Sequence, residues 1–181
     1  MLKTIRNVGM LIILSTFSCL SQEMVQKKTA TTVTFTIRNF GFNVAGLFKE
    51  VAISSNLKSA NAKELFFNAV LRVNSIFTDS DARDTHLLAP DYFDAEKYPK
   101  IVFESTAVEK ISPSKYVLKG VLTIKGVDKI VETFLEIESS KSENIFLANF
   151  ALDRRDFGVG GSSLVLSDNV NIKMKYVTGK N

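Results

Sequence analysis

The sequence predicts an all-β, antiparallel fold of about eight strands, a barrel or a sandwich, with one or two short helices. Three observations predict it. Apolar residues recur with a period of two in segment after segment, the mark of strands with one buried and one wet face. Glycine, proline, serine and asparagine punctuate those segments as turns do. Helical periodicity is weak outside two short stretches. A barrel removes the edges that a sandwich must protect, and periodicity does not choose between the two.

The elements follow in order. Val33, Phe35 and Ile37 alternate with Thr32, Thr34, Thr36 and Arg38. Gly41 and Gly46 flank a second strand. Leu65, Phe67, Ala69, Leu71 and Val73 alternate with Asn68, Arg72 and Asn74, although Phe66 and Val70 blur the polar face. Residues 80–88 and 90–97 are the helical candidates, with Pro90 suited to a first helical position. Ser112-Pro113-Ser114 forms a turn before a strand in which Leu118, Leu122 and Ile124 oppose Lys119, Thr123 and Lys125. Gly126-Val127-Asp128-Lys129 makes a hairpin into a strand with Val131, Leu135 and Ile137 opposite Glu132, Glu136 and Glu138. Residues 139–144 are a polar connector. In the last strand Val170, Ile172, Met174 and Tyr176 oppose Asn171, Lys173 and Lys175.

The N-terminus reads as an export signal over residues 1–21. Lys3 and Arg6 precede a short apolar run, and small residues follow at Ser15, Ser18 and Ser21. That run is too short to span a bilayer. Cleavage after Ser21 leaves no thiol, since Cys19 is the only cysteine. The alternative is lipidation of Cys19, with membrane association through it. Residues 22–31 read as a flexible lead-in, and residues 32–181 as one domain. A periplasmic location is expected, with an anchored or secreted protein as the alternatives.

Without Lys3 and Arg6 the formal charge falls from +4 to +2, with 21 basic against 19 acidic residues. No basic stripe supports nucleic-acid binding. A lone histidine, His86, lacks the partners of a metal site, so no metal or other cofactor is expected. Arg83, Asp84 and His86 fit two readings. In one, His86 is a general base oriented by Asp84 in a lipid-modifying enzyme. In the other, which is favoured, Arg83 and Asp84 pin a loop and no residue is catalytic, because no activated nucleophile accompanies them. Arg154, Arg155 and Asp156 either fix a strand end or offer an arginine to an anionic head group.

Residues 84–105 pack Tyr92, Phe93, Tyr98 and Phe103 between short charged residues, with Pro90 and Pro99. This stretch resembles the signature of the YceI-like family of lipid-binding barrels. Further segments resemble that family in the same order. They are Phe35-Thr-Ile-Arg-Asn-Phe-Gly-Phe-Asn-Val-Ala-Gly-Leu-Phe48, Val73-Asn-Ser-Ile-Phe-Thr78 with Arg83-Asp-Thr-His-Leu-Leu88, Gly120-Val-Leu-Thr-Ile-Lys-Gly-Val-Asp-Lys129, Asp153-Arg-Arg-Asp-Phe-Gly158 and Ser167-Asp-Asn-Val-Asn-Ile172. The chain departs at Asn39, where many members carry a histidine.

The resemblance implies a lipocalin-like antiparallel β-barrel that binds a long isoprenoid chain, such as an isoprenoid quinone or a polyprenyl phosphate, without covalent chemistry. Phenylalanine abundance agrees, with 14 Phe, 4 Tyr and no Trp offering apolar area without polar tips. Expected cavity residues in the first half of the chain are Phe35, Ile37, Phe40, Phe42, Phe48, Phe67, Leu71, Val73 and Ile76. Those further on are Leu87, Tyr92, Phe93, Phe103, Leu122, Ile124, Leu135, Phe150 and Phe157. His86, Arg154 and Arg155 are the expected head-group contacts. The same strand faces would also fill a solid barrel in an envelope interaction protein. Periodicity alone favours that filled core, and the resemblance reverses the preference. A homodimer is compatible with the sequence, and no residue decides it.

Overall fold

Alternation is realised as ten strands of one curled antiparallel sheet. The computed structural model describes residues 24–58 and 64–179. Residues 1–23, which carry the export-signal reading and Cys19, lie outside them. The strands are β1 (Thr32–Asn39), β2 (Phe42–Phe48), β3 (Val51–Ser55), β4 (Phe67–Arg72), β5 (Ile76–Phe77), β6 (Lys100–Ser112), β7 (Lys115–Ile124), β8 (Val127–Ser139), β9 (Glu143–Asp153) and β10 (Leu166–Gly179). Their order is β3-β4-β6-β7-β8-β9-β10-β1-β2-β5. The count exceeds eight because β5 has two residues and β3 continues β2 around a bend.

That bend closes the barrel. β2 and β3 lie near opposite ends of the sheet, yet only Lys49 and Glu50 separate them. One stretch of chain therefore pairs with β1 on one side and β4 on the other. The corner is held where the Lys49 N–H donates to the Ser75 carbonyl and the Arg72 N–H to the Glu50 carbonyl. The lead-in read as flexible from its composition is tied down from Met24 onward. Gln26 bridges Thr178 of β10, while its side-chain amide donates to the Val51 carbonyl and accepts from the Ile53 N–H. A side chain thus completes the ladder of β3, leaving fewer unpaired edge groups.

Two-residue turns at Phe40-Gly41 and Lys125-Gly126 have both central residues at positive φ, the geometry that matches strand twist. Gly46 sits inside β2 rather than at its end, because a Cβ there would run into the Phe35 ring and the Thr78 methyl group. The first helical expectation is met by α1 (Asp81–Leu88), which Ser80 caps and whose first turn carries Asp81 and Asp84. The second is not. Residues 90–97 form successive turns, with the Ala89 carbonyl accepting from both Tyr92 and Asp94 and Asp94 itself at φ +50.

The core is concentrated at one end. Tyr116, Leu135, Phe146 and Tyr176 are at most 2% exposed, and Phe67 meets Tyr176 edge-on at 5.7 Å. The Tyr116 hydroxyl donates to the Leu57 carbonyl at 3.1 Å, so its polar tip is satisfied. The Tyr116 phenol is held above its ordinary pKa by burial. Solid packing closes this end, and the space lies toward the other.

Candidate functional site: an apolar two-chamber cavity

Two adjoining chambers run along the barrel axis. The inner one is about 120 Å³ and the outer about 530 Å³. Phe48, Ile101, Ile124, Leu152 and Ile172 line both, so the chambers share a wall. The axis can be followed along single strands. On β1, Val33 lines the inner chamber and Phe35, Ile37 and Asn39 the outer. On β10 the order is Met174, then the shared Ile172, then Val170 and Leu166. Period-two alternation places each of these sets on one face of its strand.

Aromatic rings shape the outer chamber. Phe35 and Phe48 meet at 5.9 Å, and Phe48 and Phe93 meet edge-on at 6.3 Å. α1 contributes Ala82, Arg83, His86 and Leu87, and the turn after it contributes Tyr92 and Phe93. The His86 ring packs against Tyr92 at 4.6 Å. The outer wall carries Arg83, Arg154 and His86 but no carboxylate.

Both arginines are anchored from within. Arg83 donates through Nε to the Thr78 hydroxyl at 2.7 Å and through its terminal nitrogen to the Thr78 carbonyl. Asp84 accepts from the Thr78 N–H and hydroxyl. Arg83 and Asp84 thus grip Thr78 together, and Asp84 is turned to Thr78 rather than to His86. Residues two apart on a helix do not face each other, which is why Asp84 does not orient His86. Arg154 is 5% exposed and donates to the Ser167 carbonyl, the Val159 carbonyl and Asp168 at 2.8–2.9 Å. It ties the 158–165 loop to β10. Gly160 passes beneath it at φ +68, where a Cβ would stand 2.9 Å from the guanidinium and 3.0 Å from Tyr92.

Of the apolar positions expected from sequence, Phe35, Ile37, Leu87, Tyr92, Phe93 and Phe157 line the outer chamber. Phe67, Leu71, Phe103, Leu122, Leu135 and Phe150 line the inner, and Phe48 and Ile124 line both. Val73 and Ile76 are buried in the packing outside the cavity wall. Phe40 and Phe42 are not in the cavity wall: they stand 70% and 76% exposed at and beside the β1–β2 turn. Phe42 opens β2 opposite Asn39, where the strand has passed the last of the cavity wall. His86 and Arg154 reach the wall, whereas Arg155 is half-exposed and pairs with Asp168 at 3.4 Å. Wall residues not named from sequence include Val44, Ile101, Leu152, Val159 and Leu166. Ile101 follows a proline and a lysine, and Val159 lies in a loop, so neither carries an alternation signal.

Among the described residues no cluster of three or more His, Cys, Asp or Glu is placed to hold a metal. No described helix is long and apolar enough to cross a membrane.

Comparison with known proteins agrees with this geometry. The YceI-like domain matches residues 25–178. A UPF0312 protein of Photorhabdus laumondii subsp. laumondii is 39% identical over 98 residues, spanning 54% of this chain and half of that relative. The crystal structure of Burkholderia cenocepacia BcnA superposes with a TM-score of 0.80 at 23% identity, covering 85% of this chain and 99% of that one. A polyisoprenoid binding domain from Saccharophagus degradans, described as implicated in plant cell wall breakdown, superposes with a TM-score of 0.69 at 14% identity, covering 88% and 98%. At such identities the two structures speak for the fold. With the family match over nearly the whole described chain, this protein belongs to the YceI-like family.

Proposed function

We propose that the protein binds a long-chain isoprenoid lipid, an isoprenoid quinone or a polyprenyl phosphate, in the two-chamber cavity, and carries or stores it without covalent chemistry. The observation that carries this reading is the hollow, apolar half of the barrel, whose titratable wall groups among the described residues are Arg83, Arg154, His86 and the Tyr92 phenol. The outer chamber alone falls in the ~300–1,000 Å³ range of small-molecule sites. A five-carbon prenyl unit gains roughly 3 kcal/mol on burial before ordering costs. Drug-sized ligands realise only about 0.3 kcal/mol per atom, so the roughly 20 carbons that the two chambers hold at ~30 Å³ each contribute about 6 kcal/mol, and the head group must add the rest of the affinity.

Arg83, Arg154 and His86 offer N–H donors to a head group, and no carboxylate of the described wall repels an anionic one. Quinone and phosphate oxygens both accept from guanidinium and imidazole N–H groups, so the wall suits either. The Saccharophagus degradans neighbour, described as polyisoprenoid-binding, supports the ligand class. The leader-like residues 1–21 support export to the periplasm.

Titration with isoprenoid quinones of increasing chain length, followed by the rise in melting temperature, tests the proposal. Saturable stabilisation that grows with chain length is expected. No shift with any prenyl chain, beside unchanged folding, would return the barrel to an interaction role.

A further inference from the structure

The axis that orders the cavity walls does not stop at the last of them. Along β1 it passes from Val33 to Asn39 and then into the turn at Phe40 and Gly41. Phe42 faces Asn39 across the ladder, one step past Val44 in the same inward series. Against the chain direction of β10 it passes from Met174 to Leu166 and then into the loop that carries Leu164 and Val165. The two extensions touch: the Phe40 N–H donates to the Val165 carbonyl at 2.9 Å. Phe40, Phe42, Leu164 and Val165 are 70%, 76%, 105% and 40% exposed.

This surface is unusual in charge as well as in exposure. Residues 39–48 and 157–167 contain no charged side chain, in a sequence that is 23% charged. Arg38 and Lys49 bound the first segment, and Asp156 and Asp168 bound the second, with Arg155 next to Asp156. Arg38 donates to the Gly41 carbonyl, and Arg155 is half-exposed beside Asp168. Phe40 is held at φ +50, where an aromatic residue is strained and asparagine or glycine would fit at lower cost. Four exposed apolar side chains, one of them in a strained turn, have no account in the folding of the barrel.

We infer that Phe40, Phe42, Leu164 and Val165 form one lip beyond the outer chamber that inserts into an anionic phospholipid surface. Apolar side chains enter the acyl boundary while Arg38 and Arg155 meet lipid phosphates, the arrangement of interfacial anchors. The lip then places the chamber against the bilayer, so a long-chain ligand can cross without exposing its full length to water. The purpose of the lip rests on the lipid-cargo reading, but membrane contact can be measured without cargo.

The chain has no tryptophan, so Phe42→Trp supplies a single fluorescent reporter at the lip. The probe is vesicles of phosphatidylglycerol and phosphatidylethanolamine, with phosphatidylcholine for comparison. The reporter is expected to shift to the blue with anionic vesicles and to be quenched by brominated acyl chains. Each large side chain that leaves water contributes about ten-fold or more in partition. A Phe40→Asn, Phe42→Ser, Leu164→Ser protein is therefore expected to lose vesicle binding by at least about a hundred-fold. Each arginine contributes about five-fold on anionic vesicles. Ile130→Ser with Phe134→Ser, on the exposed face of β8, is expected to bind as the parent does. Leu164→Ser alone guards against misfolding, because Leu164 is fully exposed and should lose about ten-fold with an unchanged melting temperature.

Absence of vesicle binding by the parent, or equal binding by the lip variant, would overturn the inference. So would a lip variant that loses self-association instead, which would make the surface an interface between two copies. Retention of a prenyl lipid supplied in detergent is scored separately, so the lip and the cargo reading fail independently.

Discussion

Replacing Ile172 with tryptophan blocks the passage between the two chambers. Ile172 lies on β10, opposite Phe35 and Phe150, and lines both chambers. A methylene occupies no more than a water's ~30 Å³ share of liquid, so the inner chamber of about 120 Å³ holds about one five-carbon prenyl unit. At about 0.3 kcal/mol per ligand atom, losing those five atoms weakens binding by roughly 1.5 kcal/mol, or about ten-fold. The assay is competitive binding of isoprenoid quinones that differ only in chain length. Ile172→Trp should weaken a long-chain quinone about ten-fold and leave a one- or two-unit quinone unchanged. The added ring enters empty space, so the melting temperature should hold or rise rather than show the roughly 1–3 kcal/mol penalty of an overfilled core. Equal losses for long and short chains, or overpacking instability in the absence of ligand, would refute a continuous cavity.

Three further perturbations follow from the packing. Arg154→Met leaves the buried Ser167 and Val159 carbonyls without their donor and Asp168 with Arg155 alone, and denaturant unfolding should show about 2–3 kcal/mol lost. Gly120→Ala drives a Cβ into the Glu104 carbonyl and the Phe103 ring where β7 crosses β6, and the same assay should show roughly 1–3 kcal/mol lost. Burial raises the Tyr116 phenol above its ordinary value of 10.0, so its contribution is fully present below pH 10 and is lost as pH rises through the folded value. Tyr116→Phe should therefore lose less stability than the parent between neutral pH and pH 11, although it starts lower for want of the Leu57 hydrogen bond.

Strand faces were legible because a period of two needs no tertiary information. Val33, Phe35 and Ile37 on β1, and Val170, Ile172 and Met174 on β10, were placed inward by alternation alone. Closure was not legible, because it depends on the two-residue bend at Lys49 and Glu50 and on the Gln26 side chain reaching β3. Alternation also assigns a face but not a depth. Val73 follows the inward alternation of Leu65–Leu71, yet it is 1% exposed in solid packing rather than in the cavity wall. Arg154 and Arg155 are adjacent and chemically identical, yet one is buried in the wall and the other is not. Only the short 3-10 turn over Arg154–Phe157, which follows β9, separates them. Hollow and filled barrels share the same sequence pattern, so the cavity itself had to come from the structure.

The measurement closest to the central claim is native mass spectrometry of the protein purified from its own host, with organic extraction of whatever it carries. A stoichiometric adduct that extracts as a prenyl lipid is the predicted result, and its mass would name the chain length and the head group. A protein that flies empty under conditions that preserve weak complexes, and stays empty after exposure to isoprenoid quinones and polyprenyl phosphates, would contradict the account.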